Sequence, residues 1–158
     1  MHRTAISLVA LCGFANLGAM AEDATIASAV AAPPPAEAAD ALPGDAPTVF
    51  AWDDMAFTDT DVGRRVQLMD QASRTLDQLE IHITTLNAGE SSHAPHRHPN
   101  EEVVVLMEGT LEAYVNGVTE TVGPGSVLVF LSNDWHGVRN VGDGPATYQV
   151  INFRTGME

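Results

Sequence analysis

The chain has 158 residues, enough for one domain of ordinary size with a tail. Its 21 acidic residues outnumber seven basic ones, all arginine, and the formal net charge of −14 makes a nucleic-acid partner unexpected, because such a surface repels phosphate backbones. The absence of lysine excludes Schiff-base chemistry through a lysine amine. Cys12 is the only cysteine, which excludes an intramolecular disulfide and a cysteine-rich metal site.

Residues 1–21 are predicted to be a signal peptide. Arg3 is followed by an apolar run from Ala5 to Leu17, and Ala19-Met20-Ala21 supplies the small residues of a cleavage site. The apolar run is shorter than the roughly 20 residues that span a bilayer. We therefore expect an exported protein, periplasmic or extracellular, with no integral membrane segment in the mature chain.

Residues 22–47 are predicted to be a disordered linker. Their sequence, EDATIASAVAAPPPAEAADALPGDAP, is built mainly from alanine, proline and acidic residues and contains no aromatic side chain. Such a composition buries too little apolar surface to offset the entropy lost on ordering. One folded domain, residues 48–158, is expected to follow.

The folded domain is predicted to be all-β. Short apolar alternations are separated by Gly, Pro, Asn and Asp, which is typical of a barrel or a two-sheet jelly roll. Asn116-Gly117 provides the two positive-φ positions of a tight hairpin turn within LEAYVNGVTETV. The sequence MDQASRTLDQ is the one candidate for a helical turn. The other predicted strands, in chain order, are VFAW, RRVQLM, LEIHITTL, EEVVVLM, SVLVFL, WHGVRN and TYQVINF.

Four side chains form a candidate metal site. On a strand, residues two apart share a face, so His96 and His98 point the same way, and Glu102 is in phase with them. His136 lies on another predicted strand that a closed barrel can bring close. Imidazole nitrogen and carboxylate oxygen suit one divalent transition metal ion, with Mn, Fe, Ni, Cu and Zn all left open.

These residues match the motifs of a known family, and the chain resembles the cupins. The first motif of the cupin family is HxH, then three residues, Glu, six residues and Gly. In this chain it corresponds to His96, His98, Glu102 and Gly109. The second motif runs from Gly125 through His136 to Asn140, with Leu131 and Asn133 where proline and glycine are usual. The resemblance implies a single cupin domain, a double-stranded β-helix or jelly-roll barrel, that binds one divalent metal through three histidines and one glutamate. It also implies that a homodimer is possible.

Weaker candidates for substrate contact surround the metal site. Val138 and Asn140 share the predicted inward face of His136. His82 lies on the face of its predicted strand opposite a row of apolar residues. This pattern is compatible both with a position in the pocket and with exposure to solvent. Tyr114 is a candidate that also fits a simple packing role.

The expected function is that of a metal-dependent enzyme acting on a small oxygen-bearing organic molecule. Cupins include oxygenases, isomerases, decarboxylases and hydrolases, so the resemblance does not choose the reaction. The sequence does not identify a catalytic residue. The alternative is a non-catalytic module of the cell envelope that binds a small molecule or a metal. A second reactive side chain in the cavity would separate the two functions.

Overall fold

The computed structural model describes residues 49–156, and this part of the chain is built almost entirely from antiparallel strands. The predicted signal peptide and linker lie outside the described residues and stay predictions. No helix among residues 49–156 has the length and apolar character needed to cross a membrane. The strands are β1 (Thr58–Thr60), β2 (Gly63–Gln71), β3 (Gln78–Leu86), β4 (Glu101–Glu108), β5 (Leu111–Val115), β6 (Val118–Val122), β7 (Val127–Phe130), β8 (His136–Asn140) and β9 (Ala146–Arg154).

The strands form two sheets, as the jelly-roll prediction requires. Six strands lie in the order β1-β2-β3-β9-β4-β7, and three lie in the order β6-β5-β8. The insertion of β9 between β3 and β4 places residues far apart in sequence side by side. This non-local pairing forms the part of the larger sheet that carries several residues of the candidate site.

The core lies between the inward faces of the two sheets. Alternation along β4 buries Val104 and Leu106, while Val103 and Val105 are more exposed. Apolar side chains from most of the strands complete this core, and their burial supplies the main driving force for folding. The cluster comprises Leu86, Val104, Leu106, Leu111, Phe130, Val138, Ala146, Tyr148 and Val150.

The predicted hairpin is confirmed, and two local predictions are wrong. Asn116 and Gly117 have φ values of 46° and 92°, and Val115 pairs with Val118 across the turn. VFAW does not form a strand. Its last residue begins a short 3-10 helix, Trp52–Asp54, and the apolar side chains of VFAW are exposed to solvent. MDQASRTLDQ does not form a helical turn, since its first residues continue β2 and its last residue begins β3.

Candidate metal centre

His96 and His136 are joined through their backbones. The amide of each donates to the carbonyl of the other at 2.9 Å, which forms an isolated antiparallel bridge. His136 begins β8, whereas His96 lies in the loop before β4. The bridge therefore holds the loop against the smaller sheet and fixes the backbone positions from which both imidazoles extend.

Three imidazoles converge at this point. Each of His96, His98 and His136 offers one ring nitrogen, and these nitrogens all lie within 4.8 Å of one another. The ring of Phe130 stacks on His136 with a centroid distance of 4.5 Å and an interplanar angle of 12°. Such packing restricts the rotation of His136, which is 2% exposed.

Glu102 adds a carboxylate from β4. Its Oε2 atom lies 3.3 Å from Nε2 of His98, and its Oε1 atom lies 3.8 Å from Nε2 of His136. Asn152 donates to Oε2 across the neighbouring strand at 3.5 Å, at the limit of hydrogen bonding. The four residues predicted from the sequence are therefore neighbours in space.

Hydrogen bonds fix which ring nitrogens carry lone pairs. Nδ1 of His136 lies 2.9 Å from the carbonyl oxygen of Asp134, and Nδ1 of His98 lies 3.2 Å from that of Asn100. Because a carbonyl only accepts, Nδ1 of His136 carries the proton, and in a neutral ring its Nε2 is left with a lone pair. Nε2 of His98 is also within hydrogen-bonding distance of Oε2 of Glu102, at 3.3 Å, so both nitrogens of this ring face acceptors. This pattern, in which the outer nitrogen donates to a carbonyl, is common among histidines that bind metals.

Two buried ring nitrogens of the histidine cluster have no hydrogen-bond partner among the described residues. Nε2 of His136 and Nδ1 of His96 are buried, and neither makes a hydrogen bond within the described part of the chain. Buried polar atoms without partners are costly. A divalent cation among the imidazoles and the Glu102 carboxylate would satisfy Nε2 of His136, and these donor types are those of a transition metal site.

The protonation of His96 favours the same interpretation. Burial lowers its pKa to about 4, and the neighbouring imidazoles of His93, His136 and His98 act in the same direction. The ring is therefore neutral at pH 7 with a lone pair available. Metal binding requires this form, since a protonated imidazole has none to give.

The site opens into a cavity of about 430 Å³ between the sheets. Its volume falls in the range of pockets that hold small molecules, about 300–1,000 Å³. Val104, Val138 and Val150 provide apolar wall, while Glu80 and His82 on β3 provide polar wall. A small molecule in this cavity would contact both the candidate metal centre and a second polar region.

The weaker candidates from the sequence separate into two pairs. His82 and Val138 line the cavity. Tyr114 instead lines a separate hollow of about 180 Å³. Asn140 lies outside both and is fully buried. Its side-chain amide lies 3.1, 3.0 and 2.8 Å from the carbonyls of Leu86, Asn87 and Gly144, which is a structural arrangement.

The cavity also contains polar residues that the sequence analysis did not single out. Arg65 comes from β2, Glu80 from β3, and Tyr148 and Asn152 from β9. Burial raises the pKa of the Tyr148 hydroxyl, so this group is a neutral hydrogen-bonding partner at ordinary pH. Alternation places Glu80 on one face of LEIHITTL, and Tyr148 and Asn152 on one face of TYQVINF. The sequence carries no signal for the pairing of these two strands with each other or with β2, which supplies Arg65.

Comparison with known proteins agrees with the fold. Residues 82–152 match the model of the family described as Cupin domain, and they include all four candidate ligands. No functionally curated protein shows significant sequence similarity to the chain.

Three solved structures illustrate the structural likeness. An RmlC-like cupin from Shewanella frigidimarina is 16% identical with a TM-score of 0.55, over 67% of this chain and 89% of the other. KdgF from Halomonas sp. is 15% identical with a TM-score of 0.57, over 68% and 94%. A protein from Silicibacter pomeroyi described as a sugar phosphate isomerase from a cupin superfamily is 22% identical with a TM-score of 0.55, over 68% and 76%.

Fold, motif match and structural neighbours together define an all-β protein of the jelly-roll class. The match to the cupin-domain model supports the resemblance to cupins over residues 82–152, where three histidines are placed so that they could hold a metal ion. At identities of 15–22% the neighbours show the fold alone. The reaction must therefore be argued from the site.

Proposed function

We propose that this protein is a metal-dependent enzyme that acts on a small oxygen-bearing organic molecule. His96, His98, His136 and Glu102 would hold one divalent transition metal ion. The observation that carries the proposal is the convergence of ligand atoms: one ring nitrogen from each of the three histidines lies within 4.8 Å of the others, and the buried Nε2 of His136 has no hydrogen bond in the described part of the chain. Neutral imidazoles and a carboxylate in this arrangement need a cation between them.

A bound ion would act as a Lewis acid that polarises a carbonyl or carboxyl oxygen of the ligand. Four protein ligands leave up to two positions open if the ion is six-coordinate. The cavity of about 430 Å³ beside the four ligands gives a small molecule access to those positions. The apolar wall of Val104, Val138 and Val150 would exclude water from its carbon skeleton.

The test is ligand binding at the metal. Protein freed of metal is loaded with Co²⁺, and its visible spectrum is recorded during titration with acetohydroxamate, an oxygen chelator. The proposal predicts one equivalent of Co²⁺ and a saturable spectral change. His136→Ala is predicted to lose both. Stoichiometric Co²⁺ without any response to the chelator would indicate a closed, structural metal site.

We also propose that the protein is exported and acquires its metal outside the cytoplasm. The support is the N-terminal sequence, with its apolar run and the Ala19-Met20-Ala21 cleavage pattern. N-terminal sequencing of the mature protein from the native host tests this proposal, and a chain that begins near Glu22 is the expected result. A chain retaining residues 1–21 in the cytoplasm would contradict it. The homodimer stays a prediction.

A further inference from the structure

We propose that Nε2 of His82 is the proton acceptor of the cavity and removes a proton from a carbon next to a carbonyl group of the ligand. The inference rests on the proposed function, because the candidate metal centre would hold that ligand. It narrows the reaction to proton transfer at carbon, as in an isomerisation.

His82 and the metal ligands share the inner face of the larger sheet. His82 pairs with Val150 on β9, and Val150 pairs with Val104 on β4, two residues from Glu102. Two strand spacings of about 4.8 Å place His82 roughly 10 Å across the sheet from β4. A molecule of a few carbon atoms fits between the two regions, and both line the same cavity.

The orientation of His82 comes from Glu80. Nδ1 of His82 lies 3.2 Å from Oε1 of Glu80, and Nδ1 is a buried atom. Apart from this ion-pair contact, Nδ1 has no hydrogen-bond partner in the described part of the chain. We regard it as an electrostatic contact that a small rotation of the ring would complete. It assigns the proton to Nδ1 and leaves Nε2 as the nitrogen available to a molecule in the cavity.

Arg65 completes a row of three charged or ionisable side chains. Its Nη2 atom donates to Oε1 of Glu80 at 2.8 Å, so the same oxygen contacts both the guanidinium and the imidazole. The guanidinium thereby holds the Glu80 side chain in place beside the imidazole. A carboxylate held in this way orients an imidazole without taking its proton, as in other carboxylate-histidine pairs of active sites.

The state of the imidazole suits a base. Burial, together with the charges of Arg65 and His93, lowers the pKa of His82 to about 4, and Glu80 partly opposes this shift. The ring is therefore neutral at pH 7 and ready to accept a proton. Carboxylates with a pKa near 4 serve as bases for the same chemistry in other enzymes, so this basicity is sufficient.

The step needs no co-reactant. The C–H bond breaks, its electron pair forms a C=C bond, the C=O π electrons move to oxygen, and Nε2 gains the proton. Return of the proton to the same carbon regenerates the ligand. When that carbon carries a hydroxyl group, the hydroxyl proton moves to the other oxygen, Nε2 delivers its proton to the former carbonyl carbon, and the first carbon becomes the carbonyl, which gives an isomer. In D₂O the protonated ring exchanges with solvent and returns a deuteron, so the ligand becomes labelled.

Deuterium exchange tests the inference without knowledge of the natural substrate. Metal-loaded protein is incubated in D₂O with pyruvate, hydroxyacetone and dihydroxyacetone, each of which has exchangeable C–H bonds and at least two oxygens. Loss of the C–H signal in the proton NMR spectrum gives the rate. We expect exchange with at least one probe and a loss of about 100-fold or more in His82→Gln, the usual contribution of a general base.

Probe binding distinguishes a failure of the proposed metal-dependent function from a failure of the role of His82 as the base. Binding is followed through the Co²⁺ spectrum and is expected to change little in His82→Gln, with metal content unchanged. Probes that bind the wild-type protein but never exchange would overturn the role of His82 and leave the metal site intact. Failure of every probe to bind would overturn the proposed function itself, and this inference with it.

His93→Gln is the matched histidine variant, because His93 also lines the cavity but has no contact with Glu80. Exchange that survives in His82→Gln but is lost in His93→Gln would assign the base to His93 and contradict the inference.

Glu80 is a positioning residue, and two variants separate its charge from its shape. Glu80→Gln keeps the size of the side chain, whereas Glu80→Asp keeps the carboxylate. We expect Glu80→Gln to exchange slowly and Glu80→Asp to recover part of the rate. Recovery in the Gln variant alone would indicate that only packing matters.

A final readout is independent of the metal and of any ligand. The ¹⁵N NMR shifts of the His82 ring in metal-free protein at pH 7 report its tautomer. The expected result is a protonated Nδ1 and an unprotonated Nε2. A doubly protonated ring, or a proton on Nε2 alone, would overturn the inference.

Discussion

The backbones of His96 and His136 exchange two hydrogen bonds of 2.9 Å, and their ring centroids lie 4.7 Å apart. One residue belongs to the loop before β4 and the other to the first position of β8. The backbone bridge means that the imidazoles are placed together by the fold before any ion binds. This preorganisation lowers the entropy lost when the ligands are fixed around a metal.

His136→Ala is predicted to abolish stoichiometric metal binding. It removes a ligand that is buried and stacked on Phe130. The variant should also lose the metal-dependent rise in melting temperature, since binding to the native state stabilises by about 2.7 kcal/mol at a free metal concentration about 100 times Kd. Thermal unfolding with and without metal gives the measurement.

His93→Ala is the control for the His136 variant. The His93 ring lies against His96, with a centroid distance of 4.2 Å, but His93 is not one of the three converging histidines. It should retain full metal content. Equal metal content in the two variants would show that the site is misassigned.

Glu102→Gln is predicted to weaken metal binding by roughly 10–100-fold, because the amide keeps the shape of the side chain and removes its negative charge. Glu101→Gln is the matched control on the adjacent residue. Oε2 of Glu101 accepts from the backbone amide of Ser132 at 3.0 Å and takes no part in the histidine cluster. Competition with a chromogenic chelator measures both affinities, and equal losses would contradict the role of Glu102.

Local sequence patterns predict a large part of this structure. Asn116-Gly117 predicts its hairpin because the turn needs two positive-φ residues, and the observed φ values agree. Asn133 stands where the motif usually has glycine and adopts a φ of 65°, a conformation that asparagine tolerates. Period-two alternation predicts a common face for His96, His98 and Glu102, and the structure brings them together with His136. His96 and His98 nevertheless lie in the loop before β4, so the loop and not a regular strand positions them.

Long-range pairing is what the sequence leaves out. Arg65, Glu80 and Asn152 join the cavity because β3 pairs with β9 and β9 with β4, and no short pattern encodes that order. Asn140 illustrates the opposite difficulty. The sequence predicts that it shares the inward face of His136, yet its amide donates to three carbonyls, at the end of β3 and in two turns, and Asn140 does not line the cavity.

Metal-free protein is predicted to lose stability as the pH falls from about 6.5 to about 4. His82 and His96 have pKa values of about 4 in the fold, lowered from 6.5. Between these values the unfolded chain binds more protons, so the free energy of unfolding falls with pH, and the full contribution is present only above pH 6.5. Melting temperatures across this window give the slope.

The His82→Gln variant isolates one of these contributions. It should lose less stability than the wild type across the same pH window, since one buried neutral imidazole is gone. Carboxylates that titrate near pH 4 affect both proteins alike, so the difference between the two curves carries the information. Parallel curves would contradict the lowered pKa of His82.

Asn140→Ala is predicted to destabilise the fold by about 2–4 kcal/mol, because several buried carbonyls lose their donor at once. Asn140→Asp should be similarly unstable, as it keeps the size but replaces the donor with an acceptor. Urea unfolding of the metal-free variants measures both. A stable variant with impaired ligand binding would instead support a substrate contact.

Asn133→Gly is predicted to be nearly neutral, and Asn133→Val to cost about 1–2 kcal/mol, since a β-branched residue strains the left-handed conformation. The amide of Asn133 donates to the carbonyl of His98 at 2.8 Å. The valine variant should therefore also bind metal more weakly. Equal stability of the two variants in urea would argue against this backbone conformation.

Elemental analysis of protein purified without an affinity tag from its native compartment tests the central claim most directly. We predict one equivalent of a single divalent transition metal in the wild type and none in His96→Ala or His136→Ala. Protein that is folded and binds no transition metal, or variants that keep full metal content, would contradict a centre built from His96, His98, Glu102 and His136.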